Sequence, residues 1–74
     1  MEYRNFPIII EHDKHGYFAF CPELQGCYTQ GETYEDAIEN IKDAIKLHVE
    51  DRHKGRESLP KDRSVSISTV EVAV

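Results

Sequence analysis

Seventy-four residues leave room for one domain, spanning 1–74, and a chain this short buries only about 60% of the surface it exposes when unfolded. Its margin is thin, so self-association into a homo-oligomer, dimer or tetramer, is the default expectation. The hydrophobic fraction of 39% excludes a disordered chain, no apolar run approaches the roughly 18 residues of a membrane span, and the opening MEYRNF lacks the features of a signal peptide. These features point to the cytoplasm. The net charge of −5 is unevenly spread: residues 1–51 carry 11 acids against 4 bases, and residues 52–63 carry 5 bases against 2 acids. Such a body repels phosphate backbones and favours a basic protein partner, while the short basic stretch reads as a solvated loop with cations at a helix end.

Residues 3–11 are rich in aromatic and β-branched side chains, with Ile8, Ile9 and Ile10 as a continuous apolar run, and predict a first strand. Pro7 cannot donate to a ladder, so the strand should begin near it at an edge or a bulge. His12, Asp13, Lys14, His15 and Gly16 make a polar turn of hairpin chemistry. In a second strand over residues 17–21, alternation sets Tyr17, Ala19 and Cys21 on one face and Phe18 and Phe20 on the other. Apolar residues on both faces predict cover on both, by a helix on one side and by a second subunit or partner protein on the other. Pro22 and Gly26 bracket a tight connection in which Leu24 is expected to be exposed, and residues 27–30 form a short third strand.

Residues 31–55 carry the strongest pattern. Thr33 is the expected N-cap, accepting from the backbone N–H of Asp36, with Glu35 and Asp36 at the positive end of the helix dipole. Tyr34, Ala37, Ile38, Ile41, Ala44, Ile45, His48 and Val49 recur at steps of three and four and define a stripe to be buried. Glu35, Glu39, Asn40, Lys42, Asp43, Lys46 and Glu50 fall on the solvated face. Arg52, His53 and Lys54 suit the last turn, and Gly55 is the expected left-handed stop. After a polar connection, residues 64–74 predict a last strand. Its apolar alternation shifts from odd positions, Val65 and Ile67, to even ones, Val70, Val72 and Val74. That shift at Ser68 and Thr69 calls for a bulge or for an edge shared between two subunits. Three strands, a helix and a strand make an α+β sheet with the helix on one face.

The run GYFAFCPELQGCYTQGETYEDA, from Gly16 to Ala37, followed by Asn40, Ala44 and Ile45, resembles the HicB family of antitoxins. The pattern is a glycine-tyrosine strand (Gly16, Tyr17), a Pro-x-Leu-x-Gly-Cys turn (Pro22, Leu24, Gly26, Cys27), a Gly-x-Thr lead-in (Gly31, Thr33) and a helix beginning Glu-x-Ala (Glu35, Ala37). The resemblance implies a three-stranded antiparallel sheet, one packed helix and a further strand, a partial ribonuclease H-like fold. It also implies the role of binding and silencing a small basic toxin, HicA, which cleaves messenger RNA with a histidine. Longer members add a DNA-binding domain, and nothing after Val74 remains to build one, so direct DNA binding is not expected.

Ribonuclease H chemistry would need carboxylates converging on metal ions, and Glu11, Asp13, Glu23 and Asp36 are the acids near strand ends. Their spacing shows no convergence, and the turn, the cap and ordinary solvation account for them. Cys21 and Cys27, separated by five residues, with His12 and His15 upstream, lack the paired spacing of a zinc site and read as buried reduced thiols. His48 reads as a rim or core residue of the helix stripe. No catalytic residue, metal or cofactor is assigned. The candidate partner-binding residues are Tyr17, Phe20, Pro22, Glu23 and Leu24, which join aromatic area, a rigid turn and an acid as interface cores do. The same aromatics would equally fill a core or a homodimer interface. The expected function is neutralisation of a HicA-type toxin by occluding its active face, without enzymatic activity. The alternatives are a solitary self-associating structural module and a vestigial ribonuclease H-like binder of metal or nucleic acid.

Overall fold

A computed structural model describes residues 3–59 and 64–74. Strands β1 (Ile9–Asp13), β2 (Gly16–Phe20) and β3 (Tyr28–Gly31) form an antiparallel sheet in the order β1-β2-β3, covered by one helix, α1 (Tyr34–Lys54). β1 starts two residues after Pro7 and is an edge strand, where proline's missing donor disturbs no ladder. Asp13 stands opposite Gly16 across the two-residue loop of Lys14 and His15, and the Asp13 carboxylate accepts the His15 N–H at 2.7 Å.

Register divides the sheet as alternation requires. Ile10 pairs with Ala19, and Ala19 with Thr29, so these three share the face that carries the helix. Ala19, Cys21, Leu24, Cys27, Ala37 and Ile41 form the buried core there, with Phe6, Ile8, Ile10, Tyr17, Ala44, Ile45 and Leu59 packed around it. Ile9, Phe18, Phe20 and Tyr28 lie on the opposite face.

Thr33 caps α1 as its sequence demands, its hydroxyl accepting the Asp36 N–H at 3.0 Å. The first turn then rests directly on β3. A Cβ added to Gly31 would stand 2.5 Å from the Ala37 nitrogen and 2.9 Å from the Asp36 carbonyl carbon, so only glycine lets helix and strand approach this closely. One turn later the Asn40 side-chain amide donates to the Gln30 carbonyl at 2.8 Å and ties the helix to the same strand.

Four expectations need correction. Leu24 is not exposed: at 1% it is among the most buried side chains. The 21–27 turn folds under the sheet through bonds from the Leu24 N–H to the Cys21 carbonyl, the Cys27 N–H to the Leu24 carbonyl and the Cys21 N–H to the Cys27 carbonyl, with Gly26 at φ 78°. Tyr34 begins the helix beyond the end of the core and stays 51% exposed. Gly55 has φ −80°, and its N–H still reaches the Asp51 carbonyl at 3.0 Å. The left-handed stop falls on Arg56, φ 57°, where the Arg56 N–H bonds the His53 carbonyl and the Glu57 N–H the Arg52 carbonyl, a Schellman closure. Finally, residues 64–74 form no strand in this chain. They have no ladder partner in the sheet, and Ile67, Val70, Val72 and Val74 stand in solvent.

Cys21 and Cys27 are both buried and unbonded. Burial pushes the Cys27 thiol above its ordinary 9.0, and the neighbouring Cys21 adds to the rise. The folded state therefore keeps this proton to higher pH than the unfolded chain does. Stability is full below the ordinary thiol value and falls as pH rises through the raised one.

Urea titration is expected to show Gly31→Ala destabilised by about 1–3 kcal/mol, the range of an overpacking clash with backbone. Arg56→Gly is expected to gain about 0.5–1 kcal/mol, because left-handed strain at a side chain exceeds the added freedom of the unfolded chain. The same titration against pH is expected to be flat from about pH 7 to 8 and to fall above 9, with a shallower fall in Cys27→Ala.

Candidate partner-binding surface

The 21–27 turn is held from beneath and presents side chains above. Leu24 fills the core end, and Glu23, 8% exposed, accepts a charged hydrogen bond from Arg4 Nη2 at 3.1 Å. The Arg4 guanidinium also stands 5.0 Å above the Phe6 ring, so this pair fastens the segment before β1 to the turn. Of the five candidate contact residues, Glu23 and Leu24 are thus the two that are buried.

Phe20 and Pro22 are half-buried and line a shallow hollow of about 420 Å³ with Leu24, Gly26 and Tyr28. Phe20 pairs directly with Tyr28 across β2 and β3, and Tyr28 is 75% exposed. With Ile9 and Phe18 these rings make the apolar face that α1 leaves bare. Tyr28 was absent from the sequence-based candidates, because only the register of β3 sets it beside Phe20.

Tyr17 lies on the other face. Its ring stacks on His12, its cross-strand partner, with centroids 3.9 Å apart and planes within 1°, and meets Tyr34 edge-on at 6.4 Å and 85°. Tyr17 and Phe20 therefore cannot belong to one flat contact. The structure splits the candidates into a Phe20/Pro22 hollow and a His12/Tyr17/Tyr34 cluster at the hairpin end.

The acids near strand ends go their separate ways. Glu11 sits exposed on the bare face, Asp13 closes the hairpin, Glu23 meets Arg4 and Asp36 lies in the first turn of α1. Among the described residues no group of three His, Cys, Asp or Glu side chains comes together to hold a metal ion, and no helix is long and apolar enough to cross a membrane. What this geometry offers is contact area beside negative charge.

The family described as HicB-like antitoxin of bacterial toxin-antitoxin system matches residues 6–72. A UPF0150 protein of Helicobacter pylori strain J99 is 42% identical over 65 residues, covering 88% of this chain and 90% of its own. A UPF0150 protein of Thermoplasma acidophilum is 39% identical over 64 residues, covering 85% and 93%. An uncharacterised 14.9 kDa protein from the rep-hol intergenic region of Haemophilus phage HP1 is 37% identical over 60 residues, 81% of this chain and 45% of its own. The chain belongs to the HicB-like antitoxin family of bacterial toxin-antitoxin systems, and with that family comes an antitoxin role in general.

Proposed function

We propose that this protein binds and neutralises a small basic HicA-type toxin that cleaves messenger RNA, by covering the toxin's active face in the cytoplasm and without catalysis of its own. The observation that carries this reading is the bare apolar sheet face of Ile9, Phe18, Phe20 and Tyr28 in a chain of net charge −5. Apolar area supplies affinity, and opposite charge speeds encounter with a basic partner. Phe20 and Pro22 make the contact together with Tyr28, Glu23 and Leu24 hold the turn that presents them, and Tyr17 offers a second contact at the hairpin end. Operator DNA is not bound directly in this reading, since the acidic body repels it.

Mixed with a HicA-type toxin, the protein is expected to stop RNA cleavage at equimolar ratio. Phe20→Asp and Tyr28→Asp should each weaken the complex at least about tenfold with the far-UV spectrum unchanged, and the association rate should fall about tenfold from low to physiological salt. Full affinity in both variants would move the contact off this face. A rate indifferent to salt would remove the acidic surface from the mechanism.

A further inference from the structure

We propose that Cys21 and Cys27 are a redox-responsive pair whose sulfurs join when a hydroperoxide reaches them, and that the bond locks the 21–27 turn. In the resting chain both are free thiols.

Register brings the two together. Phe20 pairs with Tyr28 across β2 and β3, and one step beyond that pair Cys21 stands opposite Cys27, its N–H donating to the Cys27 carbonyl at 3.0 Å. Each lies two residues along the chain from Ala19 or Thr29, so both fall on the helix-facing side and share the buried core. Opposed residues of an antiparallel ladder stand about 4.5–5.5 Å apart at Cα, inside the roughly 4.4–6.8 Å that a disulfide spans. Their Cβ atoms start about as far apart and close to about 4 Å in the bond. That movement falls at the mouth of the turn, just past the end of β2 and just before β3, where the chain is loop and not ladder.

Metal binding does not account for the pair, since among the described residues no group of three His, Cys, Asp or Glu side chains comes together to hold an ion. Two facing sulfurs are left with each other.

The hollow in front of the turn is the way in. Each cysteine is only 2% exposed, but both line the hollow of about 420 Å³ beside Phe20, Pro22 and Tyr28. That volume is many times the roughly 30 Å³ of a water molecule, so a small hydroperoxide fits. One sulfur gives its proton to water and attacks a peroxide oxygen. The O–O bond breaks, the alcohol leaves, and a sulfenic acid remains. The facing sulfur, deprotonated in turn, attacks the sulfenic sulfur, the S–O bond breaks and water leaves. Two thiols and one hydroperoxide thus give one disulfide, one alcohol and one water, with the released protons ending on the alcohol and the water. The thiols lose two electrons and the peroxide gains them.

Burial and the neighbouring Cys21 hold the Cys27 thiol above its ordinary 9.0, so its thiolate is scarce at neutral pH and the pair stays reduced until oxidant accumulates. The bond then adds a covalent tie to a turn that three backbone hydrogen bonds already close, in a ring of seven residues. It restricts the unfolded chain and leaves the fold in place. The lock does not depend on which partner meets the bare face.

The test treats the full folded chain with hydrogen peroxide at neutral pH, then unfolds it and alkylates whatever thiols are left. The expected product is one 8.6 kDa chain, lighter by two hydrogens, that takes up no alkyl group. Cleavage after Glu23 by a glutamate-specific protease should leave the pieces holding Cys21 and Cys27 joined until a reductant is added. The melting temperature should rise by about 5–10 °C and fall back on reduction. Cys21→Ala and Cys27→Ala, treated alike, should show no such rise. Thiols still open to alkylation, sulfurs oxidised singly to heavier acids, a bond formed only between two chains, or a bonded turn that melts no higher would each overturn the proposal.

Discussion

Contact between the Gly31 backbone and the first turn of α1 decides where everything else in this molecule lies. A side chain at Gly31 would meet Ala37 and Asp36 backbone atoms within 3 Å, so strand and helix touch without a spacer. Thr33 fixes where the helix begins, and Asn40 binds its next turn to Gln30. The helix is thereby held over β3 and β2. Small residues at Ala19 and Ala37 keep the layers close enough for Ile41 and Leu24 to share the core. The same placement leaves the β1 side of the helix stripe without a sheet beneath it.

The 21–27 turn is the second organising feature. Three backbone bonds close it, Leu24 plugs the core and Glu23 is clamped by Arg4, so a segment that joins two strands is as buried as the strands themselves. Rigid support from below is what makes Phe20, Pro22 and Tyr28 a presented surface rather than a mobile loop. A preorganised apolar surface loses little conformational freedom when a partner settles on it. This suits an antitoxin, whose work is to stay bound.

Negative charge serves the same end differently. The acids are dispersed over helix and strands, and of the four near the strand ends Asp13 is taken by a turn, Asp36 by the first turn of the helix and Glu23 by an arginine. Spread charge of one sign steers an oppositely charged protein. In the proposed complex, contact area would supply affinity and charge would supply rate.

Helix α1 was legible almost to the residue, from Thr33 to the basic last turn, because caps and a 3.6-residue period are local properties of the chain. The three strands and the two faces of β2 were legible for the same reason, since alternation needs no knowledge of the partner strand. Leu24, Tyr34 and Gly55 were misread because their environments are set by chain reversal and by the end of a core. Neither leaves a local pattern. The candidate site was half legible: Phe20 and Pro22 stood out as aromatic and turn residues, whereas Tyr28 joined them through register, and Tyr17 was set apart from them by facing the other way. The sequence by itself determined the elements, the cap, the charge and the family pattern, all of which are carried by near neighbours along the chain. Tertiary structure alone decided which face stays bare, which edge stays open and that residues 64–74 find no partner in their own sheet, because burial and strand pairing depend on residues far apart in sequence.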